Sequence, residues 1–254
     1  MLKSNNFIDF NNLKPKLHFQ RFEFKYLIPN ELIEPIRKEL LQYMEYDSFA
    51  ETKPDKKYRV TSLYYDTPHL DNYYQKMAGI KDRRKQRVRV YGENPEDNPE
   101  VYIEIKRRHD AVVVKDRIIA RSDNYSDFIN NRVDINEASS YSQNDKNVLG
   151  EFLFGKLRGQ MQPVVLVVYD REPMFSRHDH RLRVTFDSNI EAYRAKGVYK
   201  KTGRCYRVLT NQTVMEIKFN NFMPFWLYNI IQKYHLQRIA FSKYCNAVDA
   251  CGLS

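Results

Sequence analysis

The chain has 254 residues, 42% hydrophobic and 29% charged, with 19 Tyr and 15 Phe against 8 Gly; this is enough for a substantial core and excludes a disordered or low-complexity chain. The formal net charge of +10 points to an anionic partner, with nucleic acid, anionic lipid and polyphosphate ligands all open at this level. No apolar run approaches the ~20 residues that span a bilayer, the opening MLKSNNFIDFNN lacks a signal-peptide core, and Cys205, Cys245 and Cys251 show neither disulfide nor metal spacing, so a cytoplasmic protein with reduced thiols is expected.

Residues 1–18 read as an N-terminal extension and 19–254 as one domain without internal repeats. A strand is expected over 19–28, where Arg21, Glu23 and Lys25 alternate with Phe22, Phe24 and Tyr26. A helix over 30–46 follows, with Asn30 as its N-cap and Leu32, Ile33, Ile36 and Leu40 at helical spacing. Next come a strand at 57–66, a helix at 69–78 and a strand at 83–91. The turn-rich GENPEDNP (92–99) joins that strand to another at 100–108 as a hairpin, and a further strand occupies 111–121. The polar stretch 122–147 reads as an exposed excursion, running into a helix at 145–158. Strands at 162–172, 181–187, 206–210 and 212–219 and helices at 224–235 and 241–251 complete the chain.

The alternation of the first strand returns along the sequence. Arg87 and Arg89 share a face, as do Glu104 and Lys106, Lys115 and Arg117, Tyr169 and Arg171, Arg181, Arg183 and Asp187, and Glu216 and Lys218; the opposite faces carry Val, Ile, Leu, Met and Phe. A face that met only water would mix Ser, Thr, Gln and Lys loosely. Here Arg and Lys dominate with a few isolated carboxylates, and the helices supply enough apolar surface to cover the other face. The expected architecture is therefore α+β and β-dominated: a closed antiparallel β-barrel, apolar outside under peripheral helices and charged inside. Cations crowded inward cost several kcal/mol each unless anions compensate them, and a multiply charged phosphate ligand does so.

The motifs RFEFKYLI, TSLYYDT, RVRVYG, YIEIKRR, YDRE, RVTFD, MEIKF and FSKY occur in that order. Together they resemble the VTC domain, the polyphosphate polymerase domain of vacuolar transporter chaperones, within the triphosphate tunnel (CYTH-like) superfamily. The resemblance spans about 20–247. It implies a β-tunnel that transfers the ATP γ-phosphate to a growing inorganic polyphosphate chain, assisted by Mn²⁺ or Mg²⁺. Matched by motif, the phosphate-gripping residues are Lys25, Arg87, Arg89, Lys106, Arg171, Arg183, Lys218 and Lys243, with Lys115 added. Tyr169 and Ser242 match polar residues near the phosphates, and Glu216 matches the metal-binding carboxylate. The wider superfamily opens with Glu-x-Glu-x-Lys, whereas Arg21 stands at the first Glu position here, which leaves fewer metal carboxylates and suits the polymerases better than the hydrolases. Eukaryotic polymerases also carry an inositol-phosphate-sensing SPX domain and work beside membrane helices. Neither is in this sequence, so association with a membrane would be peripheral, and regulation, product translocation and oligomeric state stay open.

Three other patterns carry a blander reading. GEFLFGK (150–156) has P-loop spacing, but Leu157 stands where Ser or Thr should hold Mg²⁺, so it reads as an amphipathic helix. RHDH (177–180) has no third metal ligand near and reads as a solvated turn. Phe222, Phe225 and Trp226 flank Pro224 and read as the start of a core-packing helix rather than a base-stacking platform. The rivals to synthesis are a triphosphate hydrolase on the same fold, a non-catalytic polyphosphate-binding module and a nucleic-acid binder. The last is disfavoured because cations occupy the polar face of nearly every strand instead of one exposed stripe.

Overall fold

The computed structural model describes residues 21–254 except 93, 97, 110, 111, 124, 131–140, 200 and 202; the expected extension 1–18 lies outside the described residues. The elements, in order, are β1 (Arg21–Pro29), a 3-10 turn (Asn30–Leu32), α1 (Ile33–Leu40), β2 (Met44–Tyr46), α2 (Ser48–Glu51), β3 (Tyr58–Asp66), α3 (Asp71–Met77), β4 (Arg83–Tyr91), β5 (Glu100–His109), β6 (Val112–Arg121), α4 (Tyr125–Ile129), α5 (Gln143–Arg158), β7 (Gln162–Ser176), β8 (Arg183–Arg194), β9 (Tyr206–Arg207), β10 (Gln212–Asn220), α6 (Phe225–Lys233) and α7 (Lys243–Ala250).

All strand pairs are antiparallel, in the order β1-β10-β8-β7-β3-β4-β5-β6, with β2 on β7 and β9 on β8. Residues directly opposite each other in such a ladder project to the same face. The register sets Lys25 opposite Glu216, Arg171 opposite Asp187, Tyr64 opposite Arg87, Arg87 opposite Glu104 and Lys106 opposite Lys115. One face of the whole sheet is thereby charged.

The other face is apolar, and helices cover it. Leu63, Val88, Ile103, Ile105 and Ile118 pack with Val148, Leu149, Phe152 and Leu153 of α5. That helix opens with a capping box in which Ser142 accepts from Asp145 N at 3.2 Å while Ser142 N donates to Asp145 Oδ2 at 3.0 Å. Tyr26, Ile28, Val184, Phe186, Met215 and Ile217 pack with Ile36 and Leu40 of α1 and Leu227, Ile230 and Ile231 of α6. A third cluster sits on the charged face, where Val60, Val165, Val167, Ile190 and Val214 receive Tyr244, Cys245, Ala247 and Val248 of α7.

The expected closed barrel is corrected. The backbone ladder is open, with β1 and β6 as its ends. The sheet nevertheless curls far enough for Lys106 Nζ on β5 to reach Glu23 Oε2 on β1 at 3.4 Å. The free side of β1 is partly covered by the segment leading into α7, where Ile239 N donates to Lys25 O at 2.8 Å.

The helix expected over 30–46 breaks in two places. Asn30 is not its N-cap: it opens the 3-10 turn, and its Oδ1 accepts from Thr213 Oγ1 at 2.9 Å. The far end becomes β2, because Met44–Tyr46 pairs with β7. Phe222 and Phe225 do not pack in the core; they are 77% and 76% exposed, since α6 buries the stripe Leu227, Ile230, Ile231. The stretch 122–147 contains α4, whose Ile129 joins the core, and the first turn of α5. GEFLFGK lies within α5, and RHDH is a turn. Among the described residues no helix is long and apolar enough to cross a membrane.

Candidate functional site

The charged face is the concave side of the curled, open sheet, and along this bore its walls hold interlocked ion pairs. On β4, Arg87 Nε donates to Glu104 Oε2 at 2.6 Å and Nη1 donates to the Tyr64 hydroxyl at 3.1 Å. Glu104 also pairs with Lys115 of β6. Arg89 donates to Ser62 Oγ at 3.0 Å and to the Tyr169 hydroxyl at 3.3 Å. A register shift between Val168 and Asp170 accompanies the placement of Tyr169. On β7, Arg171 makes a forked contact with Asp187, Nε to Oδ1 at 2.7 Å and Nη2 to Oδ2 at 2.8 Å, and Lys243 Nζ from α7 meets Asp187 Oδ2 at 2.5 Å.

The β1–β10 wall is a second network. Lys25 Nζ lies 3.0 Å from Glu23 Oε1 and 3.7 Å from Glu216 Oε2, and donates to Phe241 O at 3.0 Å. Lys218 pairs with Glu216. Arg183 stands further out, its Nη2 donating at 2.9 Å to Asp47 Oδ2, the side chain that caps α2. The walls differ in exposure: Arg171 of β7 and Lys243 of α7 are 11% and 9% exposed at the side chain, Lys115 of β6 and Lys106 of β5 37% and 39%.

Burial opposes charge at Glu23, Asp187, Glu216, Lys218, Lys115 and Tyr64; neighbouring charges outweigh it at the three carboxyls and at Tyr64, and burial wins at the two lysines. Burial and Glu216 push the Glu23 carboxyl up, but Lys25, Lys106 and Lys218 outweigh them and hold its pKa at about 2. Burial likewise raises Asp187, yet Arg171 and Lys243 bring it to about 2. Glu216 is held well below the usual carboxylate range despite complete burial, by Lys218 and Lys25. Burial lowers the Lys218 and Lys115 ammonium groups, with Glu216 and Glu104 acting against it. Tyr64 is the reverse of a buried phenol: burial raises it, but Arg87 and Arg89 pull its pKa down to about 8.

The structure thus gathers Lys25, Arg87, Arg89, Lys106, Lys115, Tyr169, Arg171, Glu216, Lys218, Ser242 and Lys243 around one bore, with Arg183 at its rim. Sequence reasoning gave no site role to Glu23, Tyr64, Lys85, Glu104 or Asp187. Lys85 was detectable, since it continues the two-residue spacing of Arg87 and Arg89. Its Nζ donates to Ser242 Oγ at 3.1 Å and lies 5.0 Å from the Tyr244 ring centroid, and among the described residues it pairs with no carboxylate. Burial lowers its pKa.

Glu216 is where a metal-holding carboxylate is expected, but its two oxygens already meet Lys25 and Lys218. Among the described residues no three His, Cys, Asp or Glu side chains come together as a metal cage. Glu216 and Glu23, bridged by Lys25, fit instead a hard divalent ion that arrives with phosphate oxygens and water completing its shell.

One solved structure shows a shared fold. A protein described as a candidate adenylyl cyclase from Hippeastrum, reported with a dominant triphosphatase activity, is 16% identical with a TM-score of 0.50, over 91% of this chain and 95% of that one. Proteins named as candidate adenylate cyclases from Bacillus halodurans and Vibrio parahaemolyticus are 10% and 12% identical, with TM-scores of 0.49 and 0.47, over 88% and 91% of this chain and 95% and 98% of theirs. The family model described as the VTC domain matches residues 20–251, everything from β1 to the end of α7, and the chain belongs to the VTC domain family.

Proposed function

We propose that the bore binds the triphosphate of ATP and an inorganic polyphosphate chain, and transfers the γ-phosphoryl group to that chain. The observation that carries this reading is an excess of cations, most of them half-buried, on the concave face of the sheet. Glu23, Glu104, Asp187 and Glu216 are outnumbered by the Lys and Arg around them, and Arg89, 5% exposed, meets Ser62, Tyr169 and Tyr91 and pairs with no carboxylate among the described residues. Such a surplus is tolerable in water-filled space and becomes favourable when a polyanion fills it.

Phosphoryl transfer has a loose transition state, with charge spread over the equatorial oxygens, so positioning and electrostatics do most of the work. Arg87, Arg89 and Arg171 present planar forks that bind phosphate oxygens in pairs, while the lysines act as mobile point charges. On β4 the cations recur every ~6.6 Å, a ladder along which successive phosphates are held in line. The attacking group is a terminal phosphate oxygen of the chain, so no side-chain nucleophile is needed. A Mg²⁺ or Mn²⁺ held by Glu216 and Glu23 would polarise phosphoryl oxygens. The hydrolase reading uses the same grip, with water as acceptor; the triphosphatase activity reported for the Hippeastrum protein keeps it in view.

The deciding experiment incubates the purified protein with ATP and Mn²⁺ or Mg²⁺ and resolves the products by gel. Polymer that is destroyed by a polyphosphatase supports synthesis. Orthophosphate and ADP alone replace it with hydrolysis, and tripolyphosphate binding without turnover leaves a binding module.

A further inference from the structure

Resting on the phosphate-tunnel reading, we propose that Tyr102 and Ile119, paired on β5 and β6 of the concave face, form a platform for the nucleobase of ATP, and that the triphosphate runs from there toward Lys85, Lys106 and Lys115. Across β4, β5 and β6 the register lines up three rungs of side chains on that face: Lys85, Lys106 and Lys115, then Arg87, Glu104 and Arg117, then Arg89, Tyr102 and Ile119. Successive rungs lie ~6.6 Å apart along the strands. The first rung is all lysine, the second holds two arginines about a carboxylate, and the third keeps one arginine beside a ring and an aliphatic side chain.

Ile119 is the odd member of its strand. Its neighbours at two-residue spacing are Arg117 and Arg121, and it is 43% exposed, whereas Ile118 beside it is buried in the core on the other face. Opposite it, the Tyr102 ring is fixed by two contacts: its hydroxyl donates to Glu100, and the Tyr91 ring meets it edge-on with centroids 5.2 Å apart. The exposed Arg117 holds its guanidinium 5.4 Å from the Tyr102 ring centroid, and a guanidinium stacks on a base as it does on a ring. A purine has flat faces for the ring and the guanidinium and apolar surface for Ile119. Two rungs span ~13 Å, about the extended length of a ribose triphosphate. A base on Tyr102 and Ile119 therefore sets the α-phosphate near Arg89 and Arg87 and the γ-phosphate before the three lysines. The reverse orientation would put an uncharged base among three ammonium groups and the most charged end of the nucleotide beside Ile119.

The test compares ATP with ribose 5′-triphosphate, which has the sugar and phosphates without the base, by calorimetric titration of the full chain without added metal. ATP should bind about tenfold tighter, the usual worth of one base stacked on an aromatic side chain. Tyr102→Leu should remove most of that preference while changing ribose 5′-triphosphate binding less than about twofold. Tyr102→Phe, which loses only the hydroxyl, should keep it, and Ile119→Ser should reduce it. No preference in the parent, or equal weakening of both ligands by Tyr102→Leu, overturns the platform. Photolabelling with 8-azido-ATP reads the orientation. The label should fall on residues 100–104 and 117–121; label confined to the surroundings of Lys85, Lys106 and Lys115 overturns the orientation, and label elsewhere on the chain overturns the platform. Should Tyr102→Leu melt far below the parent, the parent's own preference, Ile119→Ser and the label decide. If the parent binds neither ATP nor tripolyphosphate, the tunnel reading itself fails and the platform with it.

Discussion

Asp187→Asn isolates the role of the carboxylates in the bore. The wild-type carboxylate is fully buried, accepts a forked contact from Arg171 and touches Lys243. Asparagine keeps the shape and one acceptor but leaves two cations, 11% and 9% exposed, without their counter-charge. Breaking a buried pair from one side costs about 3–5 kcal/mol. For a chain of this size each kcal/mol moves the melting temperature by about 2–4 °C, so the ligand-free variant should melt roughly 6–20 °C below the parent. If Asp187 is a placeholder for phosphate, added tripolyphosphate supplies the missing negative charge and should stabilise the variant more than the parent, closing at least half of the gap. Thermal unfolding of both proteins, with and without saturating tripolyphosphate, reads this directly. A gap that stays constant or widens with ligand would mean that Asp187 merely braces the fold, and the reasoning would be refuted.

Arg87→Ala and Arg89→Ala should both weaken tripolyphosphate binding about tenfold or more, but Arg87→Ala should melt lower than Arg89→Ala without ligand, because it strips Glu104 of its Arg87 contact while Arg89 pairs with no carboxylate among the described residues; indistinguishable melts would refute the pairing argument. Glu216→Gln should bind metal-free tripolyphosphate at least as tightly as the parent, since Lys25 and Lys218 lose a competing anion, and should lose roughly a hundredfold or more in turnover; overlapping Mn²⁺ titrations of the rate would remove Glu216 from metal binding. Tyr64 has a folded-state pKa of about 8, below the ordinary phenol value of 10.0, so the unfolded chain binds more protons between these limits and the stability contributed by Tyr64 grows as pH rises from 8 to 10. Phosphate favours the neutral phenol, so affinity should fall several-fold as pH passes 8 in the parent and stay level in Tyr64→Phe; parallel pH profiles for the two proteins would exclude Tyr64.

Period-two alternation made the strands legible, because a strand with Arg or Lys on one face and Val or Ile on the other has only one way to sit against a helix. Closure was not legible. It depends on whether the backbones of β1 and β6 meet, and no residue type announces that; the Lys106–Glu23 contact shows how near the walls come without a ladder. The break after Leu40 was hidden for a related reason: Met44 and Tyr46 suit a helix or a strand, and pairing with Ser176 and Met174 decides between them. Phe222 and Phe225 misled because size and apolarity do not fix which way a helix turns.

The partner roles of Glu104 and Asp187 needed register. The sequence alone does not name the partner of either; in the ladder, Glu104 stands opposite Arg87 and Arg117, and Asp187 opposite Arg171 and Val214. This placement bears on how a bore so rich in cations folds before any ligand arrives. Burial alone would drive Lys25, Arg87 and Arg171 toward neutrality or out to solvent, yet each has its pKa raised, with Glu216, Glu104 and Asp187 outweighing burial. The carboxylates therefore do two opposed things. They make the empty bore stable, and they compete with the phosphates it would take up. Arg89 and Lys85 escape that competition, because their partners among the described residues are hydroxyls and rings, so a phosphate chain would displace no carboxylate at these two, whereas at the paired cations it would exchange one anion for another.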